Sequence, residues 1–277
     1  MNRFLSQAIP LLLTVVVFVA MIVLLHGEVW ILNLFTTDAI LTKVLWPDVL
    51  IGMTIYLKTS IDFAIFIGHL MRTHPGMKNR IAIECGTALG NALGTIVILA
   101  IWTFFRQVDW LLAIMIILAS LVLLSMAEEG LEHAEDLKSS SRKLVALSVR
   151  GVETSLMRIN KIFAPLLSRI LPEMRMNTDK RFGWFGLVFF SATIPFILGL
   201  DDFAGYVPLF SLVHVYGFAI GVFAGHMILN IALFLSPKTT IKLVTQPVIA
   251  FVGAIAFVGL ALWGFYEAVH ILVHAYT

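Results

Sequence analysis

Two acidic strings stand out because of where they sit. Ile61-Asp62-Phe63-Ala64-Ile65-Phe66 and Asp201-Asp202-Phe203-Ala204-Gly205-Tyr206 both lie deep inside long apolar stretches. An ionisable side chain in such a place is costly unless it is paired, hydrated or bound to an ion. Asp62 and Asp202, arriving from two different helices, would supply hard oxygen ligands suited to Mg, Mn or Ca, with Asp201 as a candidate third oxygen. A competing reading pairs Asp62 with Lys58, four residues earlier on the same helical face. Lys58 has no counterpart in the second string, where Leu198 stands, and it is also a candidate stand-in cation that releases Asp62 when substrate arrives.

A second set of polar residues follows helical spacing. Glu84, Thr87, Asn91 and Thr95 are three, four and four residues apart and so form one stripe. That stripe runs beside Gly86-xxx-Gly90-xxx-Gly94, whose small residues let a neighbouring backbone approach. It either lines a pathway or ties helices together by hydrogen bonds. Glu84 is also within reach of Arg80. His226, with Asn230 one turn on, and His69 and His214 are candidate nitrogen ligands for Mn, Zn or Cd, or proton relays, against the blander role of satisfied structural histidines. Glu267, His270 and His274 have ligand spacing near the end of the last apolar stretch, which suits a vestibule with gating or coupling groups.

These residues need elements to hold them, and composition says what kind. Of 277 residues 60% are hydrophobic and 13% charged, with a mean hydropathy of +0.96; soluble domains carry about twice that share of charge. The expected class is an all-α integral membrane protein. About 20 apolar residues cross a bilayer core, and seven stretches qualify: a leader near Ile9–His26, then Pro47–Met71, Arg80–Phe105, Trp110–Ala127, Phe185–Phe210, Ser211–Leu235 and Pro247–Val273. The leader lacks a small-x-small cleavage site and reads as a retained helix; Gly27–Trp46 is expected along the membrane surface. The single cysteine, Cys85, excludes an internal disulfide and a thiolate metal site. A net charge of +2 points to no nucleic-acid partner.

Lys and Arg are distributed sixteen to two between the alternate sets of connections, which by the positive-inside rule places the N-terminus in the cytoplasm and the C-terminus outside. The long basic segment contains an amphipathic stretch, Leu144–Leu171, expected to lie on an anionic inner leaflet. It serves as a tether, or as a regulatory or partner-binding arm. The Gly86/Gly90/Gly94 pattern recurs as Gly217/Gly221/Gly225, the acidic strings recur, and the helix after each ends in polar groups, with offsets of 140, 131 and 138 residues. The chain then divides into a leader and outer loop (1–46), a three-helix repeat (47–127), a basic linker (128–182) and a second, inverted three-helix repeat (183–277). Inverted three-plus-three repeats characterise secondary transporters.

At Ser60-Ile61-Asp62-Phe63-Ala64 and at Gly199-Leu200-Asp201-Asp202-Phe203-Ala204-Gly205-Tyr206-Val207-Pro208-Leu209-Phe210 the chain resembles the lysine-exporter superfamily, in particular its cadmium-resistance and tellurite-resistance branches. The resemblance covers the six helices after the leader. It implies inverted repeats, export of cations or small solutes, metal resistance, a bacterial inner-membrane location, and Asp62 and Asp202 as ligands. The leader and the basic linker depart from that pattern, as does the absence of paired cysteines. The expected function is a secondary transporter that exports a divalent metal cation (Mn, Mg, Ca, Zn or Cd as substrate, with no resident cofactor), coupled to protons or sodium. Its metal-binding set is Asp62, Asp202, Asp201, Glu84, Asn91 and His226, with Lys58, Glu267 and His270 for gating or coupling. The alternatives are an exporter of an amino acid or other small organic solute, and a haem-binding electron carrier. No nucleophile–base spacing suggests an enzyme, the partners expected are the ion and the lipid, and homo-oligomerisation stays open.

Overall fold

The computed structural model describes the backbone of residues 3–132, 143–170 and 182–276, and the side chains of 12–131, 151–165, 182–197 and 206–274. Among the described residues all regular structure is helical, as expected where lipid offers the backbone no hydrogen-bond partners. Five helices are long and apolar enough to cross a membrane: Leu12–Asn33 within α1 (Arg3–Asn33), α4 (Met77–Phe105), Asp109–Leu131 within α5 (Asp109–Glu132), α8 (Val215–Leu235), and Pro247–His274 within α10 (Pro247–Tyr276). The chain is a helical protein with the spans of an integral membrane protein. The remaining helices are α2 (Trp46–Thr59), α3 (Ile61–Thr73), α6 (Lys143–Ile170), α7 (Trp184–Tyr206) and α9 (Pro237–Val244).

Three expectations change. The stretch Pro47–Met71 is not one helix. It breaks at Ser60 into α2 and α3, bent by 64°, and qualifies as a span only when the two pieces are taken together. Five spans, or six with this pair, are therefore found among the described residues where seven were expected; α7 contributes the shorter apolar piece Trp184–Ile197. The leader runs on past His26 to Asn33, so the surface segment shrinks to the turn that follows. There the Asn33 amide holds Ile40 from both sides, donating to its carbonyl (3.0 Å) and accepting from its N–H (2.7 Å).

The chain divides into two compact units. The first is held by glycine contacts. A side chain at Gly52 would strike the Phe218 carbonyl, one at Gly221 would strike the Val49 carbonyl, and Gly217 and Gly225 face Asp48 and Tyr56. Residue numbers rise together along this contact, so α2 and α8 run parallel. Gly86 and Gly90 receive the carbonyls of Val188 and Ala192, so α4 and α7 are also parallel. Contacts of Arg80 with the Phe234 carbonyl (2.8 Å) and of Thr87 with Asn230 (3.1 Å) make α4 and α8 antiparallel.

In the second unit α5 and α10 cross closely and antiparallel. Ser120 and the turn at Pro208 fill the space a side chain at Gly264 would need, and Gly130 faces Ala250 and Ala254. The buried Ala113, Ala119, Ala127, Ala261 and Ala268 keep the two helices close. The amphipathic stretch forms α6, whose apolar face covers protein: Leu156 is buried with Leu124, Leu131 and Phe257. The buried Asn160 pins it, donating to the Leu124 carbonyl (3.1 Å) and to Glu128. Arg158 and Lys161 face outward, while Ile162 stays exposed.

Gly221→Ala should lower stability by about 1–3 kcal/mol, the usual cost of forcing atoms into a filled contact. Gly259→Ala, where nothing lies within 4 Å, should leave the melting temperature in detergent unchanged or slightly raised. Thermal unfolding of the two variants checks both.

Candidate functional site

The polar side chains of the first unit gather halfway along its helices. Tyr56 on α2, Thr87 and Asn91 on α4, and His226 and Asn230 on α8 are all buried. Tyr56 Oη lies 2.6 Å from His226 Nδ1, and His226 Nε2 lies 3.0 Å from Asn230 Nδ2, which also reaches Thr87 Oγ1 at 3.1 Å. Phe63, just past the α2–α3 break, sets its ring 5.3 Å from the imidazole. Three helices are thereby tied by one hydrogen-bonded chain.

The direction of each bond follows from proton counting. Thr87 donates its hydroxyl proton to the Glu84 carbonyl (3.1 Å), so towards Asn230 it accepts. The Asn230 amide nitrogen therefore faces Thr87 and uses its other proton on His226 Nε2. That nitrogen accepts, so Nδ1 carries the imidazole proton and donates it to Tyr56. Asn230 Oδ1 is left without a hydrogen-bond partner, and so are Asn91 Nδ2 and Ser60 Oγ. All three residues are 1% exposed.

Register places Ser60 and Asn230 at one level, with Asn91 a turn away. Along the parallel α2–α8 contact Gly217 meets Asp48, Gly221 meets Val49 and Met53, and Gly225 meets Met53 and Tyr56. One further turn brings Ser60 level with Asn230. Asn91 is one turn beyond Thr87 on α4, on the face turned to α8, and because α4 runs against α8 it stands level with His226 rather than Asn230.

The expected site residues separate into groups. Asn91 and His226 belong to this centre. Glu84 is buried one turn before Thr87, but its carboxylate accepts from the Thr14 hydroxyl of α1; Arg80, its expected partner, donates to the Phe234 carbonyl with its guanidinium 5.0 Å above that ring. Asp62 is exposed in the first turn of α3, and Lys58 lies in the last turn of α2. The break between them ends the shared helical face on which their pairing was expected, and each charge instead complements the dipole of its own helix end. Asp201 and Asp202 lie on α7, and their side chains fall outside the described residues. In the second unit Glu267 is half-buried, while the exposed His270 and His274 rings stand 4.3 Å apart. His69 is exposed.

Two acids were missed by sequence reasoning. Asp48 is buried in the first turn of α2 and accepts from the His214 N–H (3.3 Å), with His214 Nδ1 at 3.1 Å. Glu28 on α1 is 9% exposed with both carboxylate oxygens buried and without a hydrogen-bond partner. The signal for Glu28 was an acid inside an apolar run that continues to Asn33. For Asp48 it was an acid following proline at a helix start. Among the described residues no three His, Cys, Asp or Glu side chains form a group able to hold a metal ion. Haem ligation by His226 would require giving up one of the two bonds its ring nitrogens make. No protein-family model, curated protein or solved structure matches the chain.

His226→Phe removes the ring nitrogens that Tyr56 Oη and Asn230 Nδ2 meet, and each lost buried bond should cost about 1–3 kcal/mol. His69→Ala, at an exposed position, should stay within about 0.5 kcal/mol. Melting curves of the two purified variants provide the comparison.

Proposed function

We propose that the chain is a secondary transporter that moves a divalent metal cation, built from two inverted three-helix repeats. The observation that carries this reading is a buried polar centre, halfway along apolar helices, beside a span that is broken in the same place. Solute sites of secondary transporters lie near the bilayer midplane and use discontinuous helices, whose free ends supply ion ligands. Asn91 lies midway along α4, His226 midway along α8, and Ser60 midway along the bent pair.

Helix directions support the repeat. In the first unit α2 runs with α8, α4 runs with α7, and α4 runs against α8, so α7 is opposed to α2, as an inverted second repeat requires. The close contacts also correspond. Gly86 on Val188 and Gly217 on Asp48 are related by the same offsets of 131 and 140 residues that link the glycine stripes and the acidic strings. In this reading Asp62 and Asp202 bind the transported ion, Asp201 assists, and Glu84 and Lys58 gate. The ion leaves the cytoplasm of a bacterial cell across its inner membrane.

One observation favours a second reading. The described centre consists of neutral donors and acceptors, which also suits an amino acid or another small organic solute. Stabilisation of the purified protein by divalent metals, tested across a panel, separates the two.

Asp62→Asn and Asp202→Asn should each abolish metal flux into proteoliposomes while leaving the melting temperature within a few degrees of the parent. Undiminished flux in both variants would exclude the carboxylates as ligands.

A further inference from the structure

The second unit holds a cavity that the proposed ion site does not use. It measures about 480 Å³ and runs between α5, α6 and α10, walled by Leu121, Leu124, Val152, Ile159, Val258 and Leu262. One end is formed by Phe163 and Phe265, which both pack on Leu121 and Val122. The other end lies at the exposed Ser155 and at Gly151, where a side chain would meet nothing within 4 Å. We propose that this groove seats one acyl chain of an anionic phospholipid, whose phosphate is held by Arg158. The site does not depend on the transport reading.

The dimensions fit such a chain. Gly151 and Phe163 are twelve residues apart on α6, about 18 Å along the helix axis; the hydrocarbon of one leaflet is about 15 Å deep, half of the bilayer core. Asn160 meets the Leu124 carbonyl and Phe163 packs on Leu121, so α6 runs antiparallel to α5. The open end therefore lies towards the C-terminal end of α5, which the Lys and Arg distribution assigns to the inner surface. A lipid of the inner leaflet thus has its headgroup at that end and its chain directed towards the two phenylalanines.

Charge selects the headgroup. The helix α6 carries Lys143, Arg150, Arg158, Lys161 and Arg169 against one acid, Glu153. Arg158 is exposed one turn beyond Ser155 and so shares the open edge of the groove. Glu153 precedes Ser155 by two residues and falls on the opposite side of the helix. Glu128, an acid of α5 that reaches α6, is engaged by the Asn160 amide. The Arg158 stem can cover apolar surface while its guanidinium reaches the headgroup level, and a guanidinium pairs with phosphate through two parallel hydrogen bonds.

The test uses purified, delipidated full-length protein in detergent, titrated with phosphatidylglycerol or with phosphatidylcholine of identical acyl chains. Phosphatidylglycerol should raise the melting temperature saturably. Its half-saturating concentration should lie about fivefold below that of phosphatidylcholine, the usual effect of one basic residue on an anionic lipid. Arg158→Gln, at an exposed position, should melt like the parent without lipid and lose that preference, whereas Arg158→Lys should keep part of it. Ile159→Trp, which fills the groove, should weaken the binding of both lipids about tenfold. Gly151→Leu obstructs the open end instead and takes its place should Ile159→Trp fail to fold. Equal affinity of the parent for the two lipids, or an undiminished preference in Arg158→Gln, overturns the headgroup site. Unchanged lipid affinity in the groove-filling variants overturns the groove as the seat of the chain. None of these readouts involves flux, so their outcome is separate from that of the transporter proposal.

Discussion

A polar side chain in mid-membrane finds no water, so whatever it is not given by protein it goes without. That constraint governs the first unit. Tyr56, His226, Asn230 and Thr87 sit at a depth where each hydroxyl, amide or imidazole would otherwise be stranded, and they answer it by bonding one another across three helices. Each bond fixes the next through the single proton of Thr87, so the chain has one consistent direction. The glycines make this possible. Only where Gly52 and Gly221 bring the α2 and α8 backbones into contact can Tyr56 on one helix lie within 2.6 Å of the imidazole on the other.

The break at Ser60 follows from the same economy of polar groups. A continuous helix through Lys58 and Asp62 would carry both charges through hydrocarbon on one face. Interrupting it turns Lys58 into a last-turn residue of α2 and Asp62 into a first-turn residue of α3, positions where helix dipoles favour those signs. The bend also leaves Asp62 exposed while burying Ser60. In α4 no such interruption occurs, and its acid, Glu84, has the Thr14 hydroxyl as a partner from the leader helix.

Much of this was legible in the residues. The helical class followed from composition, and the α4 stripe of Glu84, Thr87, Asn91 and Thr95 is buried as one face. The glycine stripes do face foreign backbones. Other features were not legible, for identifiable reasons. The break at Ser60 carries no proline or glycine, and helix periodicity runs across it undisturbed. The partners of His226 lie 170 residues away at Tyr56 and one turn away at Asn230; spacing revealed the second and could not reveal the first. The amphipathic α6 was read as a surface helix because a stripe of Val152, Leu156 and Phe163 suits a lipid face and a protein face equally well, and only the neighbouring α5 and α10 decide between them.

The proposed repeat also accounts for what the two related clefts do not share. Under the offset of 140 residues Asp48, Tyr56 and Ser60 correspond to Val188, Phe196 and Leu200; under the offset of 131, His226 and Asn230 correspond to Thr95 and Leu99. The contact of α2 with α8 thus carries hydroxyl, imidazole and amide groups at positions whose counterparts in the sequence of α4 and α7 are mostly hydrocarbon. Among the described residues, it is the α2–α8 contact that is furnished with polar side chains at mid-depth. Buried polar groups destabilise a membrane bundle unless they are satisfied. The polar cleft, with its partnerless oxygens, is therefore where a solute has the most to gain by binding.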